Sequence, residues 1–269
     1  MDCVLNLSPE EIAQREERRL ALSISEVALE AEAVAGGWMC YSKPGCWSNQ
    51  ACGLGMDGPV GSEHVERVVD FYRARNCLPR ISACASTDPS LVRALEKHEF
   101  AMREVMTVLT RKLPAAADGL DDIRTKPDAR LEIREPLPEE TALFVEISIS
   151  GFMEFDRESP GSLAEISGRV VSHPRCTPFL AFWEGEPAGG GLIETLDNQA
   201  CLIGTSVLPQ YRRRGIQRAL MTRRMEFAID SGAQWISVSS LPGIATERNA
   251  RRIGFTPAYA QATFVQPSS

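Results

Sequence analysis

The chain has no run of about 18 apolar residues, so no helix is expected to span a membrane. Residues 1–17 are too polar to contain the apolar core of a secretion signal. The Asn6-Leu7-Ser8 triplet is therefore expected to stay unglycosylated, and the chain to be cytoplasmic. Positive charge is not in excess either: 29 Lys and Arg face 36 Asp and Glu, a net charge of −7. General nucleic-acid binding needs a basic face, so that class is excluded. There are eight cysteines but no Cys-x-x-Cys pair; Cys40, Cys46 and Cys52 are spaced by six. Zinc sites use tighter pairs of ligands, so no metal is expected, and the thiols are expected to be reduced. Histidine is scarce, at three, and His173 stands alone before Pro174, a structural rather than a catalytic setting.

What remains is ordinary globular composition, 43% hydrophobic and 24% charged. A length of 269 residues suits one large domain or two modest ones. Ser8-Pro9-Glu10-Glu11 reads as a capped helix start. A second helix is predicted over residues 24–35, closed by Gly36-Gly37. Strands are predicted at 38–41, 46–54, 80–84 and 105–113, with helices at 63–75 and 89–98. Residues 113–128, rich in Pro, Ala, Asp and Gly, read as an inter-domain linker. The predicted domains are thus 1–126 and 127–269.

Two copies of one plan are expected. Asn49-Gln50-Ala51-Cys52 returns as Asn198-Gln199-Ala200-Cys201, each opening a strand, and Glu99-Phe100 sits where Gly254-Phe255 sits. Gly53-Leu54-Gly55-Met56-Asp57-Gly58 has the spacing of a dinucleotide fingerprint, but Pro59 follows and the helix waits until about residue 63. Pyrophosphate must meet the helix tip, so a plain glycine-rich turn is the better reading.

The chemistry concentrates in residues 207–232. An apolar strand over 200–208 ends at Pro209, and Arg212, Arg213, Arg214 and Gly215 precede a helix from Ile216. Leu220, Met221, Met225, Ala228 and Ile229 give that helix an apolar side, and Gly232 stops it. The first N–H groups of a helix lack partners within it, and its dipole places about half a positive charge there. A diphosphate fits such an end. Gly215 permits close approach, and Arg212, Arg213, Arg214 and Arg218 surround it with charge.

The order Val207-Leu208-Pro209-Gln210-Tyr211-Arg212-Arg213-Arg214-Gly215-Ile216-Gln217-Arg218 resembles the coenzyme A loop of GCN5-related N-acetyltransferases, Gln/Arg-x-x-Gly-x-Gly/Ala. Gln217 stands where the pattern wants a small residue. Asn249 followed by Gly254-Phe255 is similar to the segment near the end of that fold. The resemblance, strongest over residues 179–265, implies an α/β acyltransferase fold, a mixed central sheet flanked by helices, here duplicated. It implies acetyl-CoA as co-substrate, bound by Val207, Leu208, residues 212–218 and Asn249, and a small-molecule or peptide amine as acceptor. The N-terminal copy, acidic at Glu63 and Glu66 and without the arginines, is expected to bind no coenzyme.

Attack on a thioester needs a neutral amine, and an alkylamine has a pKa near 10.4. A base must take the proton, while placement of the reactants supplies much of the rate. The family often has Glu near the position of Cys201, and Tyr near that of Ala250; both are departures. Glu194 is the nearest carboxylate and Tyr259 the substitute acid. These departures leave a non-catalytic acyl-CoA-binding module open as the alternative.

Overall fold

The computed structural model describes residues 7–123, 128–153 and 160–267. Two compact units emerge: Met1–Val108 with Ala258–Ser269, and Leu109–Pro257.

In the first unit, helix α1 (Pro9–Val27) starts as its sequence dictates. The Ser8 hydroxyl accepts from the Glu11 N–H at 3.2 Å, and the Glu11 carboxylate accepts from the Ser8 N–H at 2.7 Å. No second helix follows. Strand β1 (Glu30–Val34) runs there instead, antiparallel to β2 (Gly37–Tyr41). Ala35 and Gly36 both take positive φ, 46° and 82°, the two-residue reversal that matches strand twist. Glu30 and Glu32 face solvent and pair with Arg75 at 2.6 Å and Arg67 at 3.1 Å.

Next come β3 (Gln50–Cys52), α2 (Ser62–Arg73), β4 (Arg80–Cys84), α3 (Pro89–Lys97) and β5 (Ala101–Lys112). β3 is far shorter than the predicted 46–54, because residues 46–49 turn rather than extend. On α2, Val65, Val68, Val69 and Tyr72 are buried, the face their spacing predicts. Val65, Val68 and Tyr72 pack with Met39, Leu54, Ile81, Leu91 and Leu95.

In the second unit, residues 113–123, within the stretch read as a linker up to residue 128, pack against the core. A single 3-10 turn forms at Ala117–Leu120, and Leu113, Leu120 and Ile123 are buried in the core. The predicted boundary after residue 126 lies outside the described residues, and the compact units divide elsewhere. The composition is loop-like, but three apolar side chains bind it to the core. There follow β6 (Leu131–Arg134), α4 (Thr141–Met153), α5 (Pro160–Val171), β7 (Cys176–Trp183), β8 (Glu186–Leu196), β9 (Gln199–Val207), α6 (Ile216–Asp230), β10 (Trp235–Ser240) and α7 (Ala245–Arg252). β6 to β9 pair antiparallel in order, and β9 pairs parallel with β10. The mixed sheet with flanking helices agrees with the expected fold class.

The last strand, β11 (Thr256–Val265), adds to the first unit, where its residues 261–265 lie antiparallel to β4. Its side chains hold a buried carboxylate. Glu17 on α1 accepts from Tyr259 Oη at 2.8 Å and from Gln261 Nε2 at 2.8 and 2.9 Å. Burial raises the Glu17 pKa to about 7, against the lowering effect of these two donors.

The two units repeat local geometry. Ala51 pairs with Ile81 in the first, Ala200 with Ile236 in the second, both in parallel. Glu99 and Gly254 are both left-handed, and the next N–H, Phe100 or Phe255, reaches back to Leu95 or Ala250 at 3.0 Å.

Leu120→Ala is expected to cost about 2–5 kcal/mol of unfolding free energy, as for a core leucine. Urea denaturation measures it; a change near zero would return the segment to linker status. For Glu17, the folded pKa lies above the ordinary carboxylate value. Its stabilising contribution is therefore full below the usual carboxylate pKa and lost as pH rises through 7. Glu17→Gln is expected to remove about 3 kcal/mol of pH dependence between pH 4.5 and 8, at 1.36 kcal/mol per unit. Denaturation of the two proteins across that range tests it, with parallel curves counting against the assignment.

Candidate functional site

The site begins where a strand loses a neighbour. β9 and β10 pair only over Gln199–Cys201 against residues 235–237. Beyond Cys201 the paired register with β10 stops, while the opposite edge of β9 stays on β8 as far as Val207. A strand edge without a partner presents N–H and C=O groups that an extended ligand can pair with.

The same segment is bulged. The β8–β9 register shifts between Gly190 and Leu192, and Gly204 takes a φ of +56°. The Arg224 side chain of α6 is fitted into this place, 0% exposed. Its Nε donates to Leu220 O at 3.0 Å, one terminal nitrogen to Leu192 O at 2.6 Å and Ile203 O at 3.2 Å, and the other to Thr205 Oγ1 at 2.6 Å. A Cβ on Gly191 would stand 2.8 Å from the guanidinium carbon, so a side chain there would displace the guanidinium. Burial pulls the Arg224 pKa down to about 9, which leaves the cation dominant at neutral pH.

After Val207 the chain turns through a 3-10 segment, Pro209–Tyr211, into α6. Arg212 Nε donates to Val207 O at 3.2 Å, which ties the loop to the end of β9. Arg213 and Gly215 are both left-handed, with φ of 65° and 79°. Among the described residues no side chain caps α6, and a Cβ on Gly215 would meet nothing within 4 Å. The helix tip is open. Arg212, Arg213 and Arg214 are exposed around it, and Arg214 lies 4.9 Å from the Trp183 ring and 5.9 Å from that of Tyr211. Arg218 donates to Ile123 O at 3.3 Å, while its buried Nε has no partner among the described residues. A buried donor left without an acceptor is costly, and an anion at the tip is the kind of group that satisfies one.

Gln217 is turned away from the tip. It donates to Thr246 Oγ1 at 3.1 Å and accepts from Asn249 Nδ2 at 2.6 Å. The large residue at this position thus joins α6 to α7. The same bond commits the Asn249 amide to Gln217. Val207 and Leu208 lie at the end of β9, and the Leu208 N–H donates to Ala188 O at 3.0 Å. Ile216 is buried in the core.

The two catalytic candidates lie in different units. Glu194 is on β8, opposite Cys201 in register and 1% exposed, and accepts from Arg175 Nε at 3.1 Å. It is one half of a buried ion pair. Tyr259 is a residue of the first unit, because β11 pairs with β4 there, and its hydroxyl is given to Glu17. Burial pushes its pKa up, so the phenol keeps its proton. Sequence reasoning missed Arg224. The signal was its place four residues from both Leu220 and Ala228, inside the apolar side of α6. Among the described residues no group of three or more His, Cys, Asp or Glu could hold a metal ion, and no helix is long and apolar enough to cross a membrane.

Residues 135–255 match the family described as acetyltransferase (GNAT). The chain is similar in structure to a GCN5-related N-acetyltransferase from Kribbella flavida: TM-score 0.69 at 15% identity, over 94% of this chain and 96% of that one. A GCN5-related N-acetyltransferase from Sphaerobacter thermophilus gives a TM-score of 0.57 at 16% identity, over 78% and 69% of the two chains. A tandem GNAT protein from the clavulanic acid biosynthesis pathway gives 0.53 at 14%, over 74% and 68%. No curated protein matches by sequence. Residues 135–255 thus form a domain of the acetyltransferase (GNAT) family, within a chain whose fold is that of GCN5-related N-acetyltransferases.

Proposed function

We propose that the second unit binds acetyl-CoA and transfers its acetyl group to a primary amine. The observation that carries this reading is the end of β9–β10 pairing at Cys201, on the strand that leads through Val207 to an arginine-ringed helix tip at Gly215. The diphosphate sits at the tip, held by the first N–H groups of α6 and by Arg212, Arg213, Arg214 and Arg218. The pantetheine arm lies along the unpaired edge of β9 towards Val207 and Leu208. Ile216, Gln217 and Asn249 support the loop from the core and from α7.

The amine nitrogen attacks the thioester carbon, and the carbonyl electron pair moves to oxygen. Backbone N–H groups of β9 receive that developing charge. Collapse re-forms the carbonyl and breaks the carbon–sulfur bond, releasing coenzyme A thiolate. The attacking nitrogen loses a proton, to Glu194 directly or through water, and the thiolate gains one. Placement of the two reactants is the larger contribution.

We read the first unit as a second copy of this fold that has lost the coenzyme loop. The repeated Ala–Ile pairing and the repeated Phe100 and Phe255 turns support it. Where the second unit carries its arginines, the first carries Gly53, Gly55 and Gly58, and α2 begins only at Ser62 with Glu63 in its first turn.

Gly215→Glu places bulk and negative charge at the diphosphate, on a residue whose φ of 79° already disfavours a side chain. It is expected to weaken acetyl-CoA binding by at least about 100-fold, about 3 kcal/mol. Calorimetry with wild type and variant measures this, and equal affinity would remove the coenzyme from the tip. Wild type is then expected to release thiol from acetyl-CoA with at least one member of a panel of amines.

A further inference from the structure

Arg224 has an odd position for a charge. It is wholly buried, and among the described residues no carboxylate pairs with it. All four of its hydrogen bonds go to neutral oxygens, and three of those belong to β8 and β9 beside the bulge. Neutral donors would satisfy carbonyls as well, at far lower desolvation cost. The structure even keeps Gly191 free of a side chain where the guanidinium passes.

A buried cation with no carboxylate beside it, and with the Cys201 thiol as the titratable group that acts on it, leaves a positive potential around it, because little solvent is near to screen it. Here that potential falls on residues 203–205 of β9, on the stretch that has left β10. This is the strand to which the coenzyme reading assigns the thioester carbonyl. An oxyanion there would provide the missing negative charge, and only while it exists. Such an interaction strengthens between ground state and transition state, which is the condition for raising a rate.

We infer that Arg224 is a positioning residue for acyl transfer: its guanidinium holds the β9 bulge and its charge polarises the thioester carbonyl through that strand. The inference rests on the coenzyme reading above and adds a residue to it. It commits to charge, not to hydrogen bonding alone.

The test uses the full chain with acetyl-CoA labelled with carbon-13 at the thioester carbonyl, so that no acceptor is needed. Isotope-edited infrared spectroscopy reports the carbonyl stretch, and calorimetry run alongside reports binding. In wild type the stretch is expected to move to lower frequency on binding. Arg224→Lys, which keeps charge but loses the planar fork, is expected to retain that shift. Arg224→Gln, which keeps donors but loses charge, is expected to bind acetyl-CoA and lose it. If acetyl-CoA binds and Arg224→Gln shows the wild-type shift, the charge has no such role and this inference alone falls. If wild type does not bind acetyl-CoA, the coenzyme reading falls and takes the inference with it. Should Arg224→Gln fail to fold, Arg224→Lys decides. A retained shift supports the inference, and a lost shift shows that hydrogen-bond geometry, not charge, was responsible.

Discussion

The second unit depends on one interruption of a sheet. β9 keeps β8 along one edge and gives up β10 after Cys201 on the other. Backbone groups that would have paired inside the protein are thereby available to a ligand. The cost of leaving them is small while water can reach them, and large if they are sealed without a partner. A cleft of this kind has to stay open, so the fold needs something to keep β9 from zipping onto β10. The bulge at Gly204, gripped by Arg224 from α6, bends the strand at that point.

α6 therefore acts at both ends. Its tip, open at Gly215, faces an anion, while Arg224 in its middle fixes the strand that leads to the tip. Gln217 adds a third connection by bonding to Thr246 and Asn249 of α7. The position where the family pattern favours a small residue is thus used to brace the helix from behind. One helix thereby couples the orientation of the anion site to the shape of the strand edge, and neither can shift far alone.

The loop and its helix were legible because the signals are local. Pro209 after an apolar run, three arginines, a glycine and a periodic helix can be read from one short window. The apolar face of α2 was legible for the same reason. Residues 24–35 were not, since Glu30-Ala31-Glu32-Ala33 suits a helix by propensity, and only pairing with β2 makes it a strand. The stretch 113–128 misled by composition: its prolines and aspartates outnumber Leu113, Leu120 and Ile123, whose burial ties residues 113–123 to the core. Tyr259 could not be placed from sequence at all, because its surroundings are set by which strand β11 joins, and β4 lies far away along the chain. The Arg224 position was visible in the helical period but masked by the habit of reading arginine as a surface residue.

The membership of β11 in the first unit has a bearing on biosynthesis. Synthesis proceeds from the N-terminus, and domains ordinarily fold as they emerge. Here the first unit cannot cover β4, or give Glu17 its Tyr259 and Gln261 partners, until every residue of the second unit has left the ribosome. The earlier-made unit is thus the later one to finish, and it waits through translation with a bare strand edge that chaperones or neighbouring nascent chains can reach.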